Sequence, residues 1–192
     1  MKNHILTIIL FLPFCFFGQN VSEINKFINI SDSLQCEKEI RIYKSYYDSA
    51  HEVFRFFENE KKEWNIILYK YEIDKKDKSN NLQTIKLTSK NELDLVWLNF
   101  IQTKIQFLPD LNEVSYKLKS YRIDKVNGKH EIYTLGVSSI DPYQFTAYFK
   151  NGNIINKFGF GSYTSYLNMF PNVDELNSYA EIINLIKKEF DI

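Results

Sequence analysis

Beyond residue 20, His51, His130 and Cys36 are the side chains best suited by type to proton transfer or nucleophilic attack. A Cys–His pair works through a thiolate, and Glu37 and Glu39 beside Cys36 oppose the formation of one. Neither histidine has a second histidine or a cysteine at metal-ligand spacing. Both histidines sit at hairpin edges, where a solvated turn residue accounts for them. Glu58, Glu60 and Glu63 cluster in one turn, and Asp74 and Asp77 in another. Paired acids cleave glycosidic bonds when they flank a cleft about 5–9 Å apart. Here lysines interleave them, which is the pattern of a solvated loop. The sequence has no GxSxG, HExxH, CxxC, P-loop, GxGxxG or EF-hand pattern. Phe158-Gly159-Phe160-Gly161 lacks the third glycine of a phosphate cradle, and its glycines are expected to bend the chain from strand into helix. No catalytic residue, metal ligand or cofactor site is assigned.

Aromatic side chains are the real excess, at 16% of residues. Most phenylalanines fall on inward-facing positions. Tyr46, Tyr69, Tyr71, Tyr143 and Tyr148 leave rings on the opposite side of the expected sheet and form the candidate binding face, with Tyr47 beside them. Such a face offers a sugar or a protein partner large contact area at low entropic cost. The competing expectation is that an N-terminal helix covers it.

The elements that would position these rings are legible. Tyr143–Phe160 reads as a hairpin closed by a type I′ turn at Asn151-Gly152, with Phe149 opposite Ile154, Phe145 opposite Phe158 and Ala147 between. Earlier strands are expected at Glu39–Tyr47, Val53–Phe57, Trp64–Ile73 and Leu82–Leu87. The run Asp74–Asn81, DKKDKSNN, has no apolar residue and reads as a loop. A second antiparallel group is expected at Val114–Lys119, Tyr121–Val126 and Lys129–Gly136. Asn127-Gly128 would pair Ile123 with Ile132, but also Asp124 with Glu131, which favours a loop longer than two residues.

Helices are predicted in three places. Val21, Ile24, Phe27 and Ile28 have helical spacing. Ser89 and Glu92 form a capping box before the stripe Leu93, Val96, Trp97, Phe100, Ile101. Asn172 is the expected N-cap of a C-terminal helix that gathers Leu176, Tyr179, Ile183, Ile186 and Phe190 on one side. Ser162–Met169 reads as one or two further helical turns.

The start of the chain reads as an export signal. Met1-Lys2-Asn3-His4 precedes the apolar run Ile5–Phe17, and Gly18-Gln19 is a plausible cut. That run is too short for a stable membrane anchor. The rival is a lipoprotein signal acylated at Cys15, although Phe14 stands where such signals want a small residue. The reading is therefore a signal peptide over 1–18 and one domain over 19–192. The 24 basic and 24 acidic residues balance, so nothing marks the chain for nucleic acid or an anionic membrane. With Cys15 removed, Cys36 has no partner for an internal disulfide.

The segments SYLNMFPNVDELNSYAEIINLIKKEF, EIRIYKSYY and VFRFF with WNIILYKYEI resemble small secreted proteins of unknown function from Gram-negative bacteria with AT-rich genomes. The resemblance implies export and a fold. It carries no activity and no site.

The fold class expected is α+β: a twisted antiparallel sheet of about eight strands with the central and C-terminal helices on one face. The function expected is a secreted or periplasmic non-catalytic binding module of inhibitor or immunity type, with a protein or glycan partner. Its alternatives are a small extracytoplasmic hydrolase and an envelope-associated structural lipoprotein. Mass spectrometry of the processed protein tests the leader: Gln19 is expected as the first residue, and a lipidated Cys15 would replace that reading.

Overall fold

The computed structural model describes residues 21–46, 50–73, 80–135 and 143–192. The leader, Cys15, the turn at Asp48-Ser49 and nearly all of the loop at Asp74–Asn81 lie outside those residues. The elements run α1 (Val21–Phe27), β1 (Lys38–Tyr46), β2 (Ala50–Glu58), β3 (Trp64–Ile73), β4 (Asn80–Lys86), α2 (Leu93–Gln102), β5 (Ser120–Val126), β6 (Lys129–Leu135), β7 (Tyr143–Asn151), β8 (Ile154–Gly161), α3 (Tyr163–Met169) and α4 (Asp174–Phe190). Eight antiparallel strands with helices make this an α+β fold.

The strands divide six and two. One sheet has the order β4-β3-β2-β1-β7-β8, and β5-β6 stands as a separate ribbon. The grouping therefore differs from the expected one, because β7 leaves its neighbours in sequence and zips onto the free edge of β1. That pairing sets Ile40 opposite Phe149 and Ile42 opposite Ala147. It joins two apolar faces into one floor.

The main core lies between this floor and the helices. Phe54, Phe56, Leu68, Phe145 and Phe158 from the sheet meet Val96, Trp97 and Phe100 of α2 and Leu176, Tyr179 and Ile183 of α4. Both helices thus cover one face, and both apolar stripes fall where the 3.6-residue period placed them. On the reverse face, Ile24 and Ile28 pack over Tyr43, Val53, Tyr69 and Tyr71. The N-terminal helix is a second cover.

Local expectations failed where a turn or cap had competing solutions. The β7–β8 turn is Gly152-Asn153, with Asn151 opposite Ile154 and Gly152 taking the positive φ. This is the type II′ pattern, not type I′. Phe145 now faces Phe160 and Ala147 faces Phe158. A slip of two residues keeps every side chain on its own face, and this one stacks Phe145 on Phe160 at 4.9 Å. The β5–β6 turn is a strict two-residue Asn127-Gly128, both at positive φ, and Asp124 does oppose Glu131. Each acid has another partner: Arg122 Nε donates to Asp124 at 2.9 Å and the Tyr133 hydroxyl to Glu131 at 3.0 Å. No longer loop is required.

Val114–Lys119 is not a strand. Ser115–Leu118 is a single 3-10 turn, and it buries Val114 and Leu118, four residues apart, which an extended strand would also do only by facing both the same way. The capping box does not form, since α2 starts after Glu92 and Ser89 Oγ accepts from the Asn91 N–H instead. Val173, not Asn172, is the N-cap of α4. Gly159 does not bend the chain. It lies within β8, where its N–H donates to Asp110 Oδ1 and a Cβ would crowd that carboxylate. The turn from strand to helix falls on Ser162, at a φ of 50°.

Trp97 joins the layers: its ring stacks on Phe149 at 5.6 Å and meets Phe56 and Trp64. Trp97→Ala is expected to cost about 3–5 kcal/mol, read as a lower urea midpoint with an unchanged slope.

Candidate functional site

One row of paired residues crosses the sheet at the edge of the core. Gln83 faces Lys70, Lys70 faces Glu52, Glu52 faces Lys44 and Lys44 faces Phe145. The adjacent row, Leu68, Phe54, Ile42 and Ala147, is floor of the core. Directly opposed residues share a face and alternate residues along a strand return to it. The three charges therefore point to the same side as the apolar floor.

Glu52 accepts from both lysines, Lys44 Nζ at 3.2 Å and Lys70 Nζ at 3.3 Å. Lys44 also lies 4.7 Å from the centre of the Tyr46 ring and 5.3 Å from that of Tyr143. Burial pulls the Lys44 ammonium toward a lower pKa, but its bond to Tyr46 and the Glu52 charge outweigh that and hold it above the ordinary lysine value. It is a fixed cation at neutral pH.

Above this row is a cavity of about 230 Å³ between the sheet and α4. Ile42, Phe54, Leu68 and Phe145 line it from the sheet, and Ile183, Ile186 and Lys187 line it from the helix. Spacings of three and four put those helix residues on one face. Glu52 and Lys70 are shared with a second hollow of about 300 Å³, bounded by Tyr46, Tyr71, Glu72, Asn81 and Gln83. The cavity is thus an apolar chamber whose lining side chains include three ammoniums and one carboxylate.

The five candidate tyrosines do not share one open face. Tyr69 and Tyr71 are buried under α1. Tyr148 is half-buried on that same side, edge-on to Tyr43. Tyr46 and Tyr143 lie on the opposite side, directly paired across β1 and β7 with ring centres 6.1 Å apart. Tyr143 lines the cavity, while Tyr46 and Tyr71 border the neighbouring hollow.

The reactive candidates are scattered. His51 stacks on Tyr71 at 5.0 Å beside the buried tyrosines, and His130 is exposed on β6 opposite Lys125. Cys36 precedes β1 while His51 pairs with Ser45 near its far end, so most of the strand, more than about 20 Å at strand rise, separates them. Burial pushes the Cys36 thiol up, and Glu39 adds to that. Glu58 is held by Lys38 and Lys62, Glu63 accepts from Asn59, and Glu60 is exposed. Asp74 and Asp77 lie outside the described residues. Among the described residues no three His, Cys, Asp or Glu side chains converge as a metal site.

A second ionic group has a structural role. Glu39 and Arg41 are almost fully buried, and Glu39 Oε1 accepts from Arg41 Nε and Arg55 Nε, both at 2.7 Å. Its other oxygen accepts from the Cys36 N–H, and Arg41 also donates to the carbonyls of Ser31 and Ser33. The cluster therefore ties the segment after α1 to the sheet.

Lys44, Glu52, Lys70 and Lys187 were not singled out from sequence. A signal was present. Ile40-x-Ile42-x-Lys44, Ile66-x-Leu68-x-Lys70 and Glu52-x-Phe54-x-Phe56 each carry a charge in phase with inward apolar positions. Only the register shows that these three charges meet. Compared with known proteins, the chain matches no protein family, no curated protein and no solved structure.

Burial alone would raise Glu39, but the Arg41 bond and the two guanidinium charges hold its carboxyl below the ordinary glutamate value of 4.5. A carboxyl lowered by folding contributes stability that is complete above its unfolded pKa and is lost as pH falls through the folded one. Glu39→Gln leaves two guanidiniums short of a countercharge and is expected to cost about 3–5 kcal/mol near neutrality. The gap between wild type and variant should narrow as pH drops below 4.5, measured by urea unfolding at each pH.

Proposed function

We propose that this chain is a non-catalytic binding module, acting outside the cytoplasm, whose ligand is a small amphiphile with an apolar body and an anionic head. The observation that carries this reading is the Lys44–Glu52–Lys70 row, set in phase with the core and opening on the cavity beside α4.

Charges at such positions add little to stability. Ion pairs that keep solvent contact contribute roughly 0–1 kcal/mol, and apolar side chains at the same sites would extend the core. The lining side chains also include more ammoniums than carboxylates, because Lys187 adds a third cation to the row around Glu52. An apolar chamber with a few convergent polar groups is the common form of a small-molecule site. The excess positive charge selects the sign of the head group.

The cavity lining has no histidine, cysteine, serine or threonine. Glu52 is already engaged by two lysines, and Lys44, held protonated, is a poor nucleophile. These features favour binding over the hydrolase alternative. Export is supported by the composition of residues 1–18, and no described helix is long and apolar enough to cross a membrane. The protein or glycan platform expected from the tyrosines has weaker support, since Tyr69 and Tyr71 are covered.

Titration calorimetry with octanoate, octanol and octylammonium tests the proposal. Octanoate is expected to bind best, and added salt should weaken it. Lys70→Glu with Lys187→Glu should reduce octanoate affinity about tenfold or more, equivalent to about 1.4 kcal/mol, and leave octanol unchanged. No octanoate binding, or binding indifferent to the charge reversal, would overturn the reading.

A further inference from the structure

The β5–β6 ribbon presents an edge that no described strand pairs, with a self-complementary sequence. Its two-residue turn pairs Val126 with Lys129. A turn of this kind closes on a hydrogen-bonded pair, and such pairs alternate along an antiparallel ladder. Ser120, Arg122, Asp124 and Val126 therefore direct their backbone groups toward β6. The N–H and C=O groups of Tyr121, Ile123 and Lys125 point the other way, along an edge that no described strand pairs.

This ribbon is a poor structure to leave alone. A lone two-stranded hairpin is marginal in water, and an edge without proline or bulge is a template for another strand. Ile123 and Ile132 oppose each other across it at 66% and 70% exposure, with Tyr121 at 63% beside them.

We propose that β5 pairs, antiparallel, with β5 of a second copy of this chain, in register about Ile123. Ile123 then lies opposite its own copy on a two-fold axis and exchanges both backbone hydrogen bonds with it. Tyr121 and Lys125 form the two flanking hydrogen-bonded pairs, a ring beside an ammonium in each. Arg122 faces Asp124 of the second copy, twice, in the non-hydrogen-bonded pairs where side chains come closest.

Within one chain Arg122 Nη2 already lies 2.7 Å from Asp124. In the dimer each carboxylate sits between two guanidiniums. Four isoleucines, Ile132 and Ile123 from each copy, form one row across a four-stranded sheet.

Other registers are disfavoured by charge. Centring the pair on Arg122, Asp124 or Lys125 sets that charge against itself. Centring on Tyr121 leaves Arg122 and Asp124 without opposite charges. Pairing through β6 about Ile132 places Glu131 opposite Tyr133 and His130 opposite Thr134, with no opposite charges matched. Among the two-fold symmetric pairings of the ribbon's strands, the one about Ile123 of β5 is the one that sets opposite charges against each other and closes on two copies. The ribbon supplies no residue to the cavity, so this inference stands apart from the proposed ligand site.

Sedimentation equilibrium of the purified chain over a concentration series tests it, and a monomer–dimer equilibrium is expected. Arg122→Asp places like charges opposite each other and should weaken association about tenfold or more. Arg122→Asp with Asp124→Arg exchanges the charges and should restore it. Ile123→Pro removes an outward N–H at an edge that tolerates proline, and should give a monomer whose melting temperature matches that of wild type at high dilution. A wild type that stays monomeric, or a dimer indifferent to both the charge reversal and the proline, would overturn the proposal.

Discussion

Glu39, Ile40, Arg41, Ile42 and Tyr43 of β1 are all buried, so consecutive side chains must find cover on opposite sides of the sheet. A central strand can meet that demand only inside two layers. On one side α2 and α4 provide the layer with aromatic and aliphatic stripes. On the other a helix of seven residues is enough, because hydrogen bonds assist its apolar contacts. The Tyr43 hydroxyl donates to Asn25 at 2.7 Å, and Asn25 and Ser22 both donate to Asp32. The side-chain bonds from Ser22 and Asn25 hold Asp32 below its ordinary pKa.

The buried carboxylate of Glu39 belongs to the same arrangement. An isolated charge there would be prohibitively costly, whereas a carboxylate shared by two guanidiniums and a backbone N–H is satisfied. Its partners lie on β1, on β2 and just before β1, and Arg41 reaches on to Ser31 and Ser33. The thin cover is thereby fastened to the sheet. Arginine suits this place because its planar fork presents several donors in fixed directions.

The main core closes differently. Aromatic rings fill it in two groups, one of Trp64, Trp97, Phe56 and Phe149 and the other a stack of Phe158, Phe160 and Tyr179. Tyr179 is within this stack, with its hydroxyl donating to the Pro109 carbonyl at 2.6 Å, and burial raises its pKa. At the Lys44 row the apolar floor stops and charge begins, while α4 continues overhead. A cavity at that boundary follows from the mismatch between a helix that still presents Ile183 and Ile186 and a sheet that has turned polar.

Much of this was readable from residue order alone. Period-two alternation located all eight strands, six of them to within a residue, with β4 starting two residues and β2 three residues earlier than expected, and the 3.6-residue stripe located α2 and α4, because those periods depend on local geometry. The same local rules misread Val114–Lys119, where two buried residues four apart fit a strand as well as a helical turn. They also misread both helix caps and the Gly152 turn, since several local solutions there differ by less than packing contributes. Sequence by itself determined the fold class and most of the inward-facing residues. Only the tertiary structure decided that β7 would join β1, that Tyr69 and Tyr71 would be covered, and that Lys44, Glu52 and Lys70 would stand in one row. The reason is that strand partners distant in sequence are chosen by which apolar faces merge into one core, and no window along the chain contains both.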